Sequence, residues 1–159
     1  MGARSEELAK QFEAKSREAM ATLEKLSDAD WRKVTEAEKW SVGVTAHHLA
    51  GALEPICGMI RVVATGQSPG ELSPAMLDEM NARHARDFAD CTRAETIELH
   101  RKGSATAAAT IRGLSDAELA SSGTLLKGLP PMTAEQVIVA ALLVHIDEHY
   151  GSIRKTVGH

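Results

Sequence analysis

Four stretches of helical periodicity, each opened by a residue suited to cap a helix, limit this chain to a small set of folds. The first runs from about Ser5 to Leu26. Ser5 reads as its N-cap, Glu6 and Glu7 fill the first turn where the helix dipole favours acids, and Leu8, Phe12, Ala19, Leu23 and Leu26 recur at helical spacing. The second opens at Ser41 behind Trp40 and carries Val44, His48, Ala52, Ile56 and Met59 on one face to about Thr65. Pro55 lies inside it and is expected to kink it. Thr92 and Glu95 form a capping box for the third, which turns Ile97, Ser104, Ala107, Ala108 and Ile111 inward. Thr133 and Gln136 open the fourth, which continues to about Thr156.

The connections suggest the topology. Leu26-Ser27-Asp28-Ala29-Asp30-Trp31 is a short capped turn, and Leu114-Ser115-Asp116-Ala117-Glu118-Leu119 nearly repeats it. Each of these connections is expected to close an antiparallel hairpin, with Trp31 covering one end of the bundle. The segment 66–92 is longer: Gly66 to Gly70 breaks the chain, and Ser73-Pro74 starts a short helix to about Ala89. A crossover of that length allows the second and third helices to run side by side in the same direction. The expectation is an all-α fold, a four-helix bundle arranged up-down-down-up, with residues 1–159 forming a single domain and a Gly/Pro-rich loop through Leu129-Pro130-Pro131 before the last helix.

Composition supports helices and removes several function classes. Aromatic residues make up only 3% of the chain against 43% apolar, so Ala, Leu and Val must fill the interior, as in close-packed helices. The net charge of −4 is spread in mixed sign and leaves no basic footprint for nucleic acid. No run of apolar residues is long enough to span a bilayer, and the polar start (MGARSEEL) does not read as a signal peptide. Cys57 and Cys91 make neither a metal-binding spacing nor a disulfide framework, and the expectation is two reduced thiols in a cytoplasmic protein.

The chemistry concentrates in His145-Ile146-Asp147-Glu148-His149. Histidines four residues apart lie on one helix face, here the face of Ile138, Ala141, Leu142 and Ile153. On the second helix His48 falls in register with the apolar stripe, whereas His47 is rotated by about 100° and reads as nearer the rim. Imidazoles facing a core need partners, because burying polar nitrogens alone costs a few kcal/mol. His48, His145 and His149 could share one divalent metal, and three protein ligands leave a position open for water or substrate, as catalytic sites do. The alternative is a set of core histidines bonded to carbonyls or to Asp147 and Glu148. His84, His100 and His159 read as ordinary polar residues, with His100 able to border the same interior.

Two other chemistries fit less well. His145-x-x-Glu148-His149 matches the inverted zincin pattern, but the ten residues after His149 contain no acidic ligand. Glu148 is kept as a residue that could orient a ligand. Cys57 falls on the opposite side of its helix from His48, and Cys91 has no base in its sequence neighbourhood, so both read as packing thiols.

Trp40-Ser41-Val42 followed by His48-Leu49, together with the late His145-x-x-x-His149-x-x-x-Ile153, resembles the DinB/YfiT-like superfamily (unrelated to the DNA polymerase of similar name). The resemblance covers nearly the whole chain. It implies a four-helix bundle with a divalent metal held by His48, His145 and His149. Zn or Ni suits these ligands best, and Fe or Mn is also compatible. It further implies a homodimer acting on a small molecule, in the manner of transferases and isomerases that use low-molecular-weight thiols such as mycothiol or bacillithiol. The chain departs from the family at Val44, where a Glu often completes the cap, and at Pro55. The additional C-terminal domain of maleylpyruvate isomerases is not expected here. A non-catalytic bundle that binds a small ligand or self-associates around a structural metal is the competing expectation.

Overall fold

Local capping decides where most of the helices begin. The structure is a computed structural model describing residues 2–70 and 72–158. Helix α1 spans Ala3–Lys25, α2 Asp28–Arg32, α3 Val42–Ala64, α4 Pro74–Asp87, α5 Arg93–Arg112 and α6 Asp116–Ala120. The last long helix is built in three parts: α7 (Ala134–Val137), a π-helical stretch (Ile138–Val144) and α8 (His145–Val157). Capping boxes form at Ser27/Asp30, Thr92/Glu95, Ser115/Glu118 and Thr133/Gln136. Each contributes on the order of 1 kcal/mol by satisfying N–H groups that the helix leaves free. The two similar connecting motifs therefore become two similar five-residue helices, α2 and α6.

Three local expectations need correction. Ser5 does not cap α1: Gly2 does, and the buried Ser5 hydroxyl donates back to the Gly2 carbonyl at 2.9 Å. The helix starts earlier because Arg4 is anchored there, pairing with Glu7 and with Glu135 on α7. α3 runs through Pro55 as one continuous helix. The bond that Pro55 cannot make would end at Gly51, and both residues lie on the exposed side, where water can satisfy the carbonyl. The Gly/Pro-rich loop before α7 is not wholly irregular, because Ser122–Gly123 and Met132–Thr133 pair as short antiparallel strands, β1 and β2.

Cross-helix contacts give the bundle its order. α1 and α3 each pack against both α5 and α8, while α1 and α3 themselves lie across the bundle from each other. Arg112 near the end of α5 pairs with Glu6 and Glu13 near the start of α1, so these two helices run antiparallel. Arg61 bonds Thr110 and Glu54 bonds Thr106, so α3 and α5 run side by side in one direction. Arg154 bonds Thr22 and Lys15 pairs with Asp147, so α8 follows α1. The short connections therefore do not join neighbouring helices as simple hairpins. The residues between α1 and α3 hold α2 and a strap that passes over the bundle end, which carries α3 to the far corner.

Among the described residues the core has two apolar clusters. One gathers Leu8, Phe12, Leu53, Ile60, Ile111 and Leu142, and the other Leu23, Leu49, Ile146, Tyr150 and Ile153. Ser16 on α1 and His100 and Ser104 on α5 form a hydrogen-bonded polar group inside the bundle. Trp31 covers one end, where its indole N–H donates to the Cys91 carbonyl at 2.9 Å. Gly103 brings α5 close to α3: a Cβ there would lie 2.9 Å from the Leu53 Cβ. No helix among the described residues is long and apolar enough to cross a membrane.

Candidate metal centre

The site forms where α3 faces α8. His48 leaves α3 two turns after its Ser41 cap, which fixes the start of the helix by accepting the Val44 N–H at 3.0 Å. His145 is the first residue of α8 and His149 follows one turn later. The π-helical stretch immediately upstream matters here, because a π turn holds more residues than an α turn and rotates everything after it. That rotation was not legible in the α-helical spacing, although Ile138 and Leu142 are buried as expected.

One nitrogen from each of His48, His145 and His149 lies within 4.8 Å of the other two. The ring centroids are 5.4 Å apart for His48 and His145, 5.1 Å for His48 and His149, and 4.6 Å for His145 and His149. None of the hydrogen bonds made by histidines among the described residues links these three rings. Burial, reinforced by the neighbouring histidines, lowers His48 to about 3. Burial and His149 lower His145 to about 4, with the Ala141 carbonyl offsetting part of the effect. The His145 Nδ1 is buried without a hydrogen bond of good geometry. Both rings are therefore neutral at pH 7 and keep a lone pair, the form in which imidazole binds metals. Uncharged nitrogens converging with no proton between them repel one another, and a shared cation converts that repulsion into attraction. The donor set thus fits a divalent metal.

The surrounding residues revise the sequence reading. His47 is not at the rim: it is only 8% exposed, and its Nδ1 lies 2.8 Å from His84 Nε2, with Phe88 stacked on both rings. The reason is α4, which covers that side of α3. His84 is consequently part of the surroundings, with its ring centroid 5.7 Å from that of His48. Glu148 is exposed, and the carboxylate that bonds His149 is that of Glu38. His100 is fully buried but belongs to the interior polar group with Ser16 and is not part of the three-histidine cluster. His159 lies outside the described residues.

Two residues on the strap between α2 and α3 were missed. Glu38 Oε2 lies 2.7 Å from His149 Nδ1, and Glu38 Oε1 accepts from the Ser152 hydroxyl at 2.6 Å. Burial works against this carboxylate, yet hydrogen bonds from Ser152, His149 and Thr35 hold it below the usual range. Trp40 does more than precede the cap, because its ring rests 5.1 Å from that of His48. Helical periodicity says nothing about a strap. The one local signal was an acid two positions before the tryptophan.

Solved structures share this fold. YfiT from Bacillus subtilis, described as a probable metal-dependent hydrolase with an unusual four-helix bundle topology, superposes with a TM-score of 0.75 at 15% identity, covering 99% of this chain and 90% of that one. A mycothiol-dependent maleylpyruvate isomerase superposes with a TM-score of 0.73 at 15% identity over 94% of this chain. This chain spans only 60% of the isomerase's length. A histidine-to-alanine variant of the same isomerase superposes with a TM-score of 0.69 at 15% identity, covering 96% of this chain and 65% of that one. No curated protein matches the sequence. The sequence profile of the DinB superfamily matches residues 11–153, and the chain belongs to that superfamily.

Proposed function

We propose that His48, His145 and His149 hold one divalent cation, and that the protein is a metal-dependent enzyme activating a low-molecular-weight thiol or water against a small-molecule substrate. The observation that carries this reading is the convergence of three imidazole nitrogens within 4.8 Å, from two helices. When bound, the cation supplies Lewis acidity, which favours the deprotonated form of a thiol or water that reaches it. The rest is the work of the chain. Burial keeps His48 and His145 neutral so that their lone pairs are available. Trp40 packs its ring beside that of His48. The cluster contains three donors and no fourth among the described residues, which favours a site with an open position over a closed structural one. Imidazole donors suit Zn or Ni.

The related folds support thiol or water activation in particular. One is named for metal-dependent hydrolysis and the other for mycothiol-dependent isomerisation. Protein purified without an affinity tag should contain about one equivalent of divalent metal by elemental analysis, and a His48→Ala/His145→Ala variant should contain almost none. A thermal-shift screen should then find one metal and one thiol that stabilise jointly. Equal, negligible metal in both proteins after reconstitution would end the proposal.

A further inference from the structure

The strap between α2 and α3 is shaped to bring two side chains, Glu38 and Trp40, to the histidines. Thr35 N–H donates to the Trp40 carbonyl at 2.8 Å, Lys39 N–H to the Thr35 carbonyl at 3.1 Å, and Val42 N–H to the Lys33 carbonyl at 2.7 Å. Val34 and Ser41 pair as an isolated antiparallel bridge. Within this closed turn Lys39 has φ 63°, and it is the one non-glycine residue with positive φ among those described. A left-handed residue that is not glycine, asparagine or aspartate is costly and persists only when its surroundings impose it. In an extended segment Glu38 and Trp40 would share a face but stand two residues apart along the strand. The left-handed turn at Lys39 folds them back, so that Glu38 meets His149 on α8 while Trp40 meets His48 on α3.

We infer that Glu38 is a positioning residue: it accepts the Nδ1–H of His149, fixes that tautomer, and leaves the Nε2 lone pair of His149 facing His48 and His145. The bond is 2.7 Å long, and the two side chains are only 9% and 14% exposed, so little water competes for it. Ser152, one turn beyond His149 on α8, holds the other carboxylate oxygen at 2.6 Å and stops the carboxylate from rotating away. A carboxylate behind a histidine in this way sets ring orientation and raises ligand basicity. Nothing on α8 itself could do this, because Asp147 and Glu148 are exposed. The inference deepens the metal reading and rests on it for its chemical consequence, but not for the tautomer.

The test separates the two. In metal-free protein at pH 8, the nitrogen-15 shifts of the His149 ring should report protonation at Nδ1. Glu38→Gln retains an acceptor of the same shape and should keep that tautomer, whereas Glu38→Ala should release it to a mixture. Zinc affinity, measured by competition with a chromophoric chelator, should fall about 10–100-fold in Glu38→Ala and less in Glu38→Gln. Circular dichroism identifies folded variants, and Glu38→Gln carries the comparison if the alanine variant does not fold: its zinc affinity should then fall detectably while Nδ1 stays protonated. Wild-type zinc affinity in the folded Glu38→Ala protein, or an Nδ1–H tautomer that survives there, would overturn the inference, as would an Nε2–H tautomer in the wild type. If no protein binds metal but the tautomer responds as stated, the proposed function fails and the positioning of His149 by Glu38 stands.

Discussion

Lowering the pH should destabilise this fold through His100, a residue outside the three-histidine cluster. Its ring is fully buried, its Nε2 lies 3.0 Å from Ser16 Oγ, and its Nδ1 has no partner. The Tyr150 ring meets it edge-on at 6.1 Å, and no carboxylate is bonded to it. Burial lowers the folded imidazole to about 4 from a usual 6.5. For a base depressed in this way the unfolded chain takes up the proton first, so stability is complete above the unfolded value and falls as pH drops towards the folded one. Each pH unit crossed removes about 1.4 kcal/mol, giving about 2 kcal/mol between pH 6.5 and pH 5 and about 3 kcal/mol by pH 4. His100→Gln keeps a hydrogen-bonding group in the place of Nε2 and cannot titrate. Urea unfolding of both proteins with a chelator present, from pH 7.5 to pH 5, isolates the effect, because the other buried histidines are common to both. The wild type should lose about 2 kcal/mol more than the variant over that range. Stability curves that run parallel within about 0.5 kcal/mol would refute the reasoning.

Other expectations follow from packing and from the site. His145→Ala should abolish metal-dependent thermal stabilisation, while leaving the metal-free melting temperature unchanged or higher, because it also deletes a buried nitrogen without a partner. Gly103→Ala should lower stability by about 1–3 kcal/mol, since the new methyl meets the Leu53 Cβ at 2.9 Å in the tight contact of α3 with α5. Gly58→Ala, on the same helix α3 but with nothing within 4 Å, should raise stability by up to about 1 kcal/mol; opposite signs in thermal melts check the pair. Cys57 and Cys91 are 0% and 9% exposed and burial pushes both thiols up, so a thiol reagent should label them slowly in the native protein and both rapidly in denaturant.

Much of the three-histidine cluster is legible in the sequence because its members lie on helices. His145 and His149 share a face by spacing alone, and His48 sits in the apolar register of α3, so geometry of period 3.6 brings their side chains inward. The same rule misplaced His47, whose burial depends on α4 folding across it and stacking His84 and Phe88 against it. Nor does it reach Glu38, which bonds His149 from 111 residues away along the chain.

By itself the sequence determined the long helices, most of their caps and most of the inward faces, since hydrogen-bond capping and apolar periodicity are local and act within a few residues. Tertiary structure alone decided which helices became neighbours, the π-helical rotation ahead of His145, and the left-handed turn that carries Glu38 and Trp40 to the histidines. Those features arise from contacts between distant segments, where packing outweighs local preference, and no spacing within one segment encodes them.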